Sequence, residues 1–206
     1  MYKNWRIWKQ YRLFVKDFRR EQQWLRNGRP APPPESYKRK IVREYGKRFA
    51  AHTLIETGTF LGHMVQANKR RFKKIITIEL DSYYYNAARE RFANDDHITI
   101  LPGDSGESPA LGIALARLVP PVVFWLDAHE LPVDLGARGT RATPILSELH
   151  QVLALETDDY VLLIDDMRIF ESDPEYPSIA HIKRLILERH PAWQIEIVDD
   201  ILRAHR

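Results

Sequence analysis

The sequence predicts an α/β fold: a doubly wound, mostly parallel sheet of seven strands, closed by an antiparallel C-terminal hairpin and preceded by an N-terminal helical extension. After residue 53, short apolar runs alternate five times with helical stretches, and parallel neighbouring strands need such crossovers. The last two apolar runs, residues 193–198 and 201–204, are separated only by Asp199 and Asp200, so they can pair only as a hairpin. A chain of 206 residues, 44% of them hydrophobic, is long enough for one such domain and an extension.

Each of the five units opens with an apolar run and continues into a helical stretch. Short runs bounded by turn residues are typical of buried strands, whereas longer stretches with apolar side chains at helical spacing are typical of helices. We therefore expect strands over residues 54–56, 75–79, 98–101, 122–126 and 160–164. The helices that follow them are expected over residues 61–72, 83–92, 109–118, 144–155 and 178–189.

Residues 1–50 are predicted to form a helical extension, and residues 51–206 the sheet domain. A helix is expected over residues 4–26, because apolar side chains recur at helical spacing at Ile7, Trp8, Tyr11, Phe14, Val15 and Phe18. A stiff proline-rich linker follows, and a second helix is expected over residues 36–49. The aromatic side of the first helix fits a packed core, a homodimer contact or a peripheral contact with a membrane surface.

The charge of the chain is unevenly distributed. Residues 1–50 carry 15 Lys or Arg and four Asp or Glu, whereas the remainder carries 16 basic and 24 acidic residues. A basic extension on an acidic body predicts one of two arrangements. The extension binds an anionic partner, such as lipid, a phosphorylated sugar carrier or nucleic acid, or it docks on the acidic body itself.

Composition excludes several kinds of site. The chain has no cysteine, which removes disulfides, thiolate metal sites and cysteine nucleophiles. No apolar run approaches the roughly 20 residues of a membrane span, and the first residues do not resemble a secretion signal. These features favour a cytoplasmic enzyme.

A glycine-containing turn follows the first predicted strand, in the segment Glu56-Thr57-Gly58-Thr59-Phe60-Leu61-Gly62. Glycines at a strand-to-helix turn let the backbone approach a ligand closely. The dinucleotide fingerprint G-x-G-x-x-G is not met, because Phe60 stands at its second glycine. The alternative is that the two glycines only allow tight packing of the strand against the helix.

Acidic groups follow the next two strands. Glu79 ends the second strand, 21 positions after Gly58, at a spacing where a carboxylate accepts the ribose hydroxyls of a nucleoside. Gly103, Asp104 and Ser105 follow the third strand. Without a ligand, these features are a solvated strand end and an ordinary turn. Because open α/β sheets bind ligands at the carboxyl ends of their strands, three such signals in order favour an adenosyl cofactor.

The first turn resembles motif I of the class I S-adenosylmethionine-dependent methyltransferases, an acidic residue followed by x-G-x-x-x-G. The closing hairpin is similar to the end of the same Rossmann-like methyltransferase fold. The resemblance implies that S-adenosylmethionine is the cofactor, with its methionine end at Glu56 and Gly58, its ribose at Glu79 and its adenine at Asp104. The full set of residues that the resemblance assigns to the cofactor is Glu56, Gly58, Thr59, Gly62, Glu79, Asp104, Ser105 and Asp127.

Three aspartates and a histidine follow the fourth and fifth strands. This pattern resembles the metal-dependent sugar O-methyltransferases of the macrocin O-methyltransferase type, which hold a metal with one Asp after strand four and an Asp pair after strand five. The resemblance implies that Asp127, Asp165 and Asp166 bind a divalent cation, and oxygen ligands suit Mg²⁺. Metal coordination lowers the pKa of an acceptor hydroxyl, and His129 would be the base that takes its proton. Asp127 and His129 are thus the candidate catalytic residues.

Other roles for these side chains remain open. Asp127 would alternatively orient the amino group of the cofactor, or the substrate. Asp165 and Asp166 would be a loop acid and a helix cap, and His129 a hydrogen-bonded loop residue.

The prediction for function is O-methylation of a sugar, a glycan or another small hydroxylated acceptor, with S-adenosylmethionine and a divalent metal. The alternatives are an RNA methyltransferase that uses the basic extension, and a non-catalytic adenosyl-binding module. The sequence contains no Asn-Pro-Pro-Tyr-type motif and no recognisable RNA-binding module, which disfavours nucleic acid as the partner.

Overall fold

A computed structural model describes residues 15–107, 109–127 and 143–206 of the chain. Most of the aromatic stripe on the first predicted helix lies outside these residues. The predicted base His129 and the segment that follows it up to residue 142 also lie outside them.

The described chain alternates strands and helices as the sequence predicts. The strands are β1 (Thr53–Thr57), β2 (Lys74–Glu79), β3 (Ile98–Pro102), β4 (Val122–Leu126), β5 (Tyr160–Ile164), β6 (Gln194–Val198) and β7 (Ile201–His205). The first helix, α1, covers residues 15–26 of the described part. The remaining helices are α2 (Glu35–Arg48), α3 (His63–Asn68), α4 (Ser82–Arg91), α5 (Ala110–Leu115), α6 (Ile145–Leu153), α7 (Ile169–Ser172) and α8 (Ile179–Arg189).

The seven strands form one sheet in the order β3-β2-β1-β4-β5-β7-β6. The first five strands are parallel, whereas β7 runs antiparallel to both β5 and β6. The hairpin turn consists of Asp199 and Asp200, both with positive φ (53° and 67°), as a two-residue turn between twisted strands requires. The prediction of a mostly parallel, seven-stranded sheet with an antiparallel C-terminal hairpin is confirmed.

The sheet separates two apolar clusters. Successive side chains of a strand point to opposite faces, so Ile55 belongs to one cluster and Leu54 to the other. Strands β1, β4 and β5 are buried along their whole length. Helix α2 contributes Ile41 and Val42 to the cluster that contains Leu54. The second helix of the predicted extension therefore covers one face of the sheet.

Helices α3 and α5 are shorter than predicted, and one short helix was not predicted. Helix α3 begins at His63 and not at residue 61, because Gly62 before it has the left-handed conformation (φ 65°), which a helix interior does not allow. The short helix α7 was not predicted; it begins three residues after Asp166, and its Phe170 is buried against Tyr176. Within the described ranges, none of the helices has the combination of length and apolar character that a bilayer crossing needs.

Candidate functional site

The turn after β1 is fixed to the end of β2 by Glu79. One oxygen of the Glu79 carboxylate accepts a hydrogen bond from the backbone N–H of Phe60 (2.7 Å), and the other accepts one from the N–H of Asp81 (2.8 Å). Gly58 adopts a positive φ of 84°, which glycine reaches without steric cost. The glycine turn and the predicted ribose-binding carboxylate are thus in direct contact.

Glu56 lies beneath this turn, almost fully buried. It accepts a hydrogen bond of 2.6 Å from the hydroxyl of Thr77, which lies 2.6 Å from the hydroxyl of Thr59. Because Thr77 has one proton and gives it to Glu56, Thr59 is the donor in the second bond. Burial raises the pKa of Glu56 well above its ordinary value, and the hydrogen bond from Thr77 opposes this shift. Glu56 is thus linked to Thr59 of the predicted cofactor turn through the hydroxyl of Thr77.

The loop after β3 carries Asp104 and Ser105. The carboxylate of Asp104 accepts the N–H of Gly106 (2.8 Å), which gives the loop its turn. Ser105 is buried and donates a hydrogen bond of 2.5 Å to Glu148 of helix α6. Burial raises the pKa of Glu148 to about 7, against the lowering effect of hydrogen bonds from Ser105 and Thr57.

The ends of β4 and β5 bring the three predicted metal ligands together. Carboxylate oxygens of Asp127, Asp165 and Asp166 lie within 4.8 Å of one another. The pairing of Leu126 with Ile164 in adjacent parallel strands places the residues that follow them side by side. We call these three residues the aspartate triad. A small pocket borders the triad and is also lined by Thr143, Glu148 and Tyr176.

Asp127 also contacts the cofactor side of the site. Its backbone N–H donates to the hydroxyl of Thr57 at the end of β1 (3.2 Å). Its carboxylate accepts a hydrogen bond of 3.3 Å from the indole N–H of Trp125. Asp127 is therefore the member of the triad that lies beside the predicted cofactor turn.

A lysine from the N-terminal extension lies within the aspartate triad. The Nζ atom of Lys38, on α2, is 2.6 Å from Oδ2 of Asp165 and 3.1 Å from Oδ1 of Asp166. The lysine side chain is only 6% exposed. Burial lowers the pKa of Lys38, but attraction from Asp165, Asp127 and Asp166 outweighs it, so its pKa lies above the ordinary value. Lys38 is therefore a buried ammonium ion.

Asp166 has a second cationic partner. Nη1 of Arg168 is 2.6 Å from the same Oδ1 atom of Asp166 that faces Lys38, and it also contacts Asp200. Asp166 does not cap helix α7: the cap residue is Arg168, and it makes no side-chain cap bond. The alternative role of Asp166 as a helix cap is therefore wrong.

The chemistry of the triad suits Mg²⁺, but its geometry does not admit the ion beside Lys38. Magnesium binds carboxylate oxygens at about 2.0–2.1 Å. A cation that bridges Asp165 and Asp166 would compete for the oxygens that Lys38 contacts, and two positive charges at this separation repel each other. The residues fit a metal only if Lys38 leaves.

The adenosyl part of the site is different, because its acceptor groups fit the cofactor. Strands β1, β2 and β3 are neighbours, so their following loops lie at one edge of the sheet. These loops carry Gly58, the Glu79 carboxylate and the Asp104 carboxylate. Carboxylates are the natural acceptors for ribose hydroxyls and for an adenine amino group.

Lys38 and Glu148 are site residues that the sequence reasoning missed. Each carries a signal that could have identified it, namely a charged residue on the apolar side of a helix. Lys38 precedes Ile41, Val42 and Tyr45 by three, four and seven positions, and Glu148 has Ile145 and Val152 at the same kind of spacing. Charged residues are rarely buried without a partner, so such positions indicate a buried polar network.

The described part of the extension docks on the acidic body. Arg29 and Tyr37 both contact the carboxylate of Asp199 in the β6–β7 turn. The hydroxyl of Tyr45 donates a hydrogen bond of 3.1 Å to Glu196. Together with the pair between Lys38 and Asp165, these contacts give the basic extension intramolecular anionic partners.

Comparison with known proteins gives structural matches only. No protein-family model matches the chain, and no curated protein matches it. The O-methyltransferase TomG from Streptomyces achromogenes, solved in complex with SAM, has a TM-score of 0.53 and 16% identity over 90% of this chain and 86% of that chain. The methyltransferase PaMTH1 from Podospora anserina, solved with SAH, has a TM-score of 0.52 and 12% identity over 82% of this chain and 77% of that chain.

A methyltransferase from Geobacter sulfurreducens is similar to the same extent. It has a TM-score of 0.54 and 14% identity, over 82% of this chain and 78% of that chain. At these identities the similarity concerns the fold. The chain has the Rossmann-like fold of these methyltransferases.

Proposed function

We propose that this protein is an S-adenosylmethionine-dependent methyltransferase that methylates an oxygen of a sugar or another small hydroxylated acceptor. The observation that carries the proposal is the contact between the two halves of the site. The cofactor turn after β1 and the aspartate triad after β4 and β5 are joined by the hydrogen bond between Asp127 and Thr57. The solved structures with SAM or SAH have the same fold, which supports the choice of cofactor.

Glu79, Asp104 and Ser105 have distinct roles in binding the cofactor. Glu79 accepts the ribose hydroxyls, since its carboxylate oxygens have lone pairs beyond those used by Phe60 and Asp81. Asp104 accepts the adenine amino group, and Ser105 fixes the loop through Glu148. The chemistry that bound S-adenosylmethionine supplies is an electrophilic methyl group on a sulfonium.

The acceptor half of the site lies at the aspartate triad. Asp127 orients the acceptor hydroxyl beside the cofactor turn, and His129, two positions later in the sequence, takes its proton. Lys38 is unsuited to act as the base, because its neighbours keep its ammonium protonated. Magnesium assistance, which the resemblance implies, requires Lys38 to move away, so it is not part of this proposal.

The test is transfer of a labelled methyl group from S-adenosylmethionine to a panel of sugars and phenols. Asp127→Ala is expected to abolish turnover while the affinity for S-adenosylhomocysteine stays within a fewfold of wild type. The matched control is Asp96→Ala, because Asp96 is exposed and lies outside the site. That variant should keep full turnover.

Three other results would each favour a different conclusion. Cofactor binding without transfer to any acceptor would favour a non-catalytic adenosyl-binding module. Transfer to RNA and not to small hydroxylated molecules would favour an RNA methyltransferase. Unchanged turnover in Asp127→Ala would show that the reaction does not require Asp127.

A further inference from the structure

The buried ammonium of Lys38 raises the question of which cation neutralises the aspartate triad. Three carboxylates within 4.8 Å of one another repel, and one positive ion among them relieves that repulsion. Lys38 is within salt-bridge distance of Asp165 and Asp166, and Asp127 also attracts it. Arg168 adds a second positive charge at Asp166. Lys38 also pairs with Glu35 (3.4 Å), and Arg168 also pairs with Asp200. Among the described residues, Lys38 is the cation that contacts two members of the triad, and Arg168 is a second cation at Asp166.

Helix α2 holds Lys38 firmly in this position. Ile41 and Val42, one turn further along the helix, are buried in the apolar cluster on the same face of the sheet as Leu54. Tyr45, a further turn along, is buried in the same cluster. To withdraw Lys38, either the side chain must leave Asp165 and Asp166 or the helix must leave the sheet. The first movement leaves the buried carboxylates of Asp165 and Asp166 without the lysine, and the second exposes apolar surface to water.

A divalent metal and Lys38 would occupy overlapping positions. The ammonium lies between carboxylate oxygens of Asp165 and Asp166, which are two of the three ligands that the resemblance assigns to a metal. Oδ1 of Asp166 also has Arg168 as a partner, which leaves it less available to a metal.

We propose that Lys38 is the built-in cation of the aspartate triad, in the position where the sequence resemblance implies a divalent metal, so that the protein does not load a metal there. The further consequence, methyl transfer without added metal, rests on the proposed function. The claim that no metal binds at the triad is independent of the proposed function.

The experiment is a Mn²⁺ titration of the full chain, followed by the electron paramagnetic resonance signal of free Mn²⁺. Wild type is compared with Lys38→Met, which removes the charge and keeps a long apolar side chain. The matched control is Lys47→Met on the same helix, because Lys47 is exposed. Asp165→Asn is introduced into wild type and into Lys38→Met, and binding that it removes is assigned to the triad. Circular dichroism checks the fold of every variant.

Wild type and Lys47→Met are expected to show no binding that depends on Asp165. Lys38→Met is expected to gain a Mn²⁺ site whose affinity is at least about tenfold higher than any Mn²⁺ binding by wild type, equivalent to about 1.4 kcal/mol. Adding Asp165→Asn to Lys38→Met is expected to abolish this site. Wild-type binding that Asp165→Asn removes would overturn the proposal. A folded Lys38→Met variant without a gained site would also overturn it. If Lys38→Met does not fold, Lys38→Gln takes its place.

Failure of the proposed function would be recognised separately. S-adenosylhomocysteine binding is measured on the same samples, and its absence would remove the methyltransferase proposal while the Mn²⁺ titration still decides the role of Lys38. Where turnover is observed, a chelator should leave the wild-type rate unchanged. A rate that falls to background with chelator and returns with Mg²⁺ would overturn the proposal.

Discussion

The hydroxyl of Ser105 donates a 2.5 Å hydrogen bond to the buried carboxyl of Glu148 and so joins the loop after β3 to helix α6. Ser105 belongs to the predicted adenine loop, whereas Glu148 lines the pocket beside the aspartate triad. A change in the protonation of Glu148 therefore acts on both halves of the site.

The raised pKa of Glu148 makes stability depend on pH. Between its ordinary value of 4.5 and about 7, the folded protein holds a proton that the unfolded chain has released. The stabilisation is complete below 4.5 and is lost as the pH rises through about 7. From pH 5 to pH 8, wild type should lose about 2–3 kcal/mol relative to Glu148→Gln, whose side chain does not titrate.

Urea denaturation at both pH values measures this difference. Glu156→Gln is the matched control, because Glu156 is exposed, and its stability should follow that of wild type. A constant difference between wild type and Glu148→Gln across this pH range would contradict the assigned pKa.

Gly62→Ala should destabilise the fold by about 1–3 kcal/mol. Gly62 has a φ of 65°, and an added Cβ would lie 2.9 Å from Cε2 of Phe92. Gly112→Ala is the control: a Cβ there meets no atom within 4 Å, and alanine in a helix should stabilise by about 0.4–1 kcal/mol. Thermal denaturation separates the two variants, and equal effects would refute the strain at Gly62.

Asp165→Asn should be among the most destabilising single substitutions at the site. It leaves the buried ammonium of Lys38 with a weaker partner, and breaking a buried ion pair costs about 3–5 kcal/mol. The loss should lie below this range, because burial and repulsion from Asp127 raise the pKa of Asp165 and Lys38 keeps Asp166 as a partner. In the double variant with Lys38→Met, part of this loss should be recovered. The comparison pair is Arg184 and Glu188, which are both 64% exposed, and its removal should change stability by less than about 0.5 kcal/mol. Additive effects of Asp165→Asn and Lys38→Met would show that the two side chains do not interact.

Glu79→Gln should weaken S-adenosylhomocysteine binding by about tenfold or more, because hydrogen bonds to a charged acceptor are the stronger kind. The amide has one acceptor oxygen where the carboxylate has two, so one of the hydrogen bonds from Phe60 and Asp81 is lost. Glu90→Gln, at an exposed position of α4, is the control. Unchanged affinity in Glu79→Gln would exclude this carboxylate from the ribose site.

Much of the fold follows from the sequence, because the apolar runs and the two-residue gap at Asp199 and Asp200 allow few topologies. The three aspartates could be placed at one sheet edge for the same reason. Lys38 could not be placed there, since the sequence does not reveal which face of the sheet α2 covers. That depends on long-range packing of Ile41 and Val42. The buried bond between Ser105 and Glu148 likewise joins residues 43 positions apart.

The most direct test of the account is calorimetric titration of the full chain with S-adenosylmethionine and S-adenosylhomocysteine, with and without Mg²⁺, and with NAD⁺ as the control ligand. We expect micromolar binding of both adenosyl ligands, the same affinity with and without Mg²⁺, and no binding of NAD⁺. Absence of adenosyl binding under every condition would contradict the methyltransferase proposal.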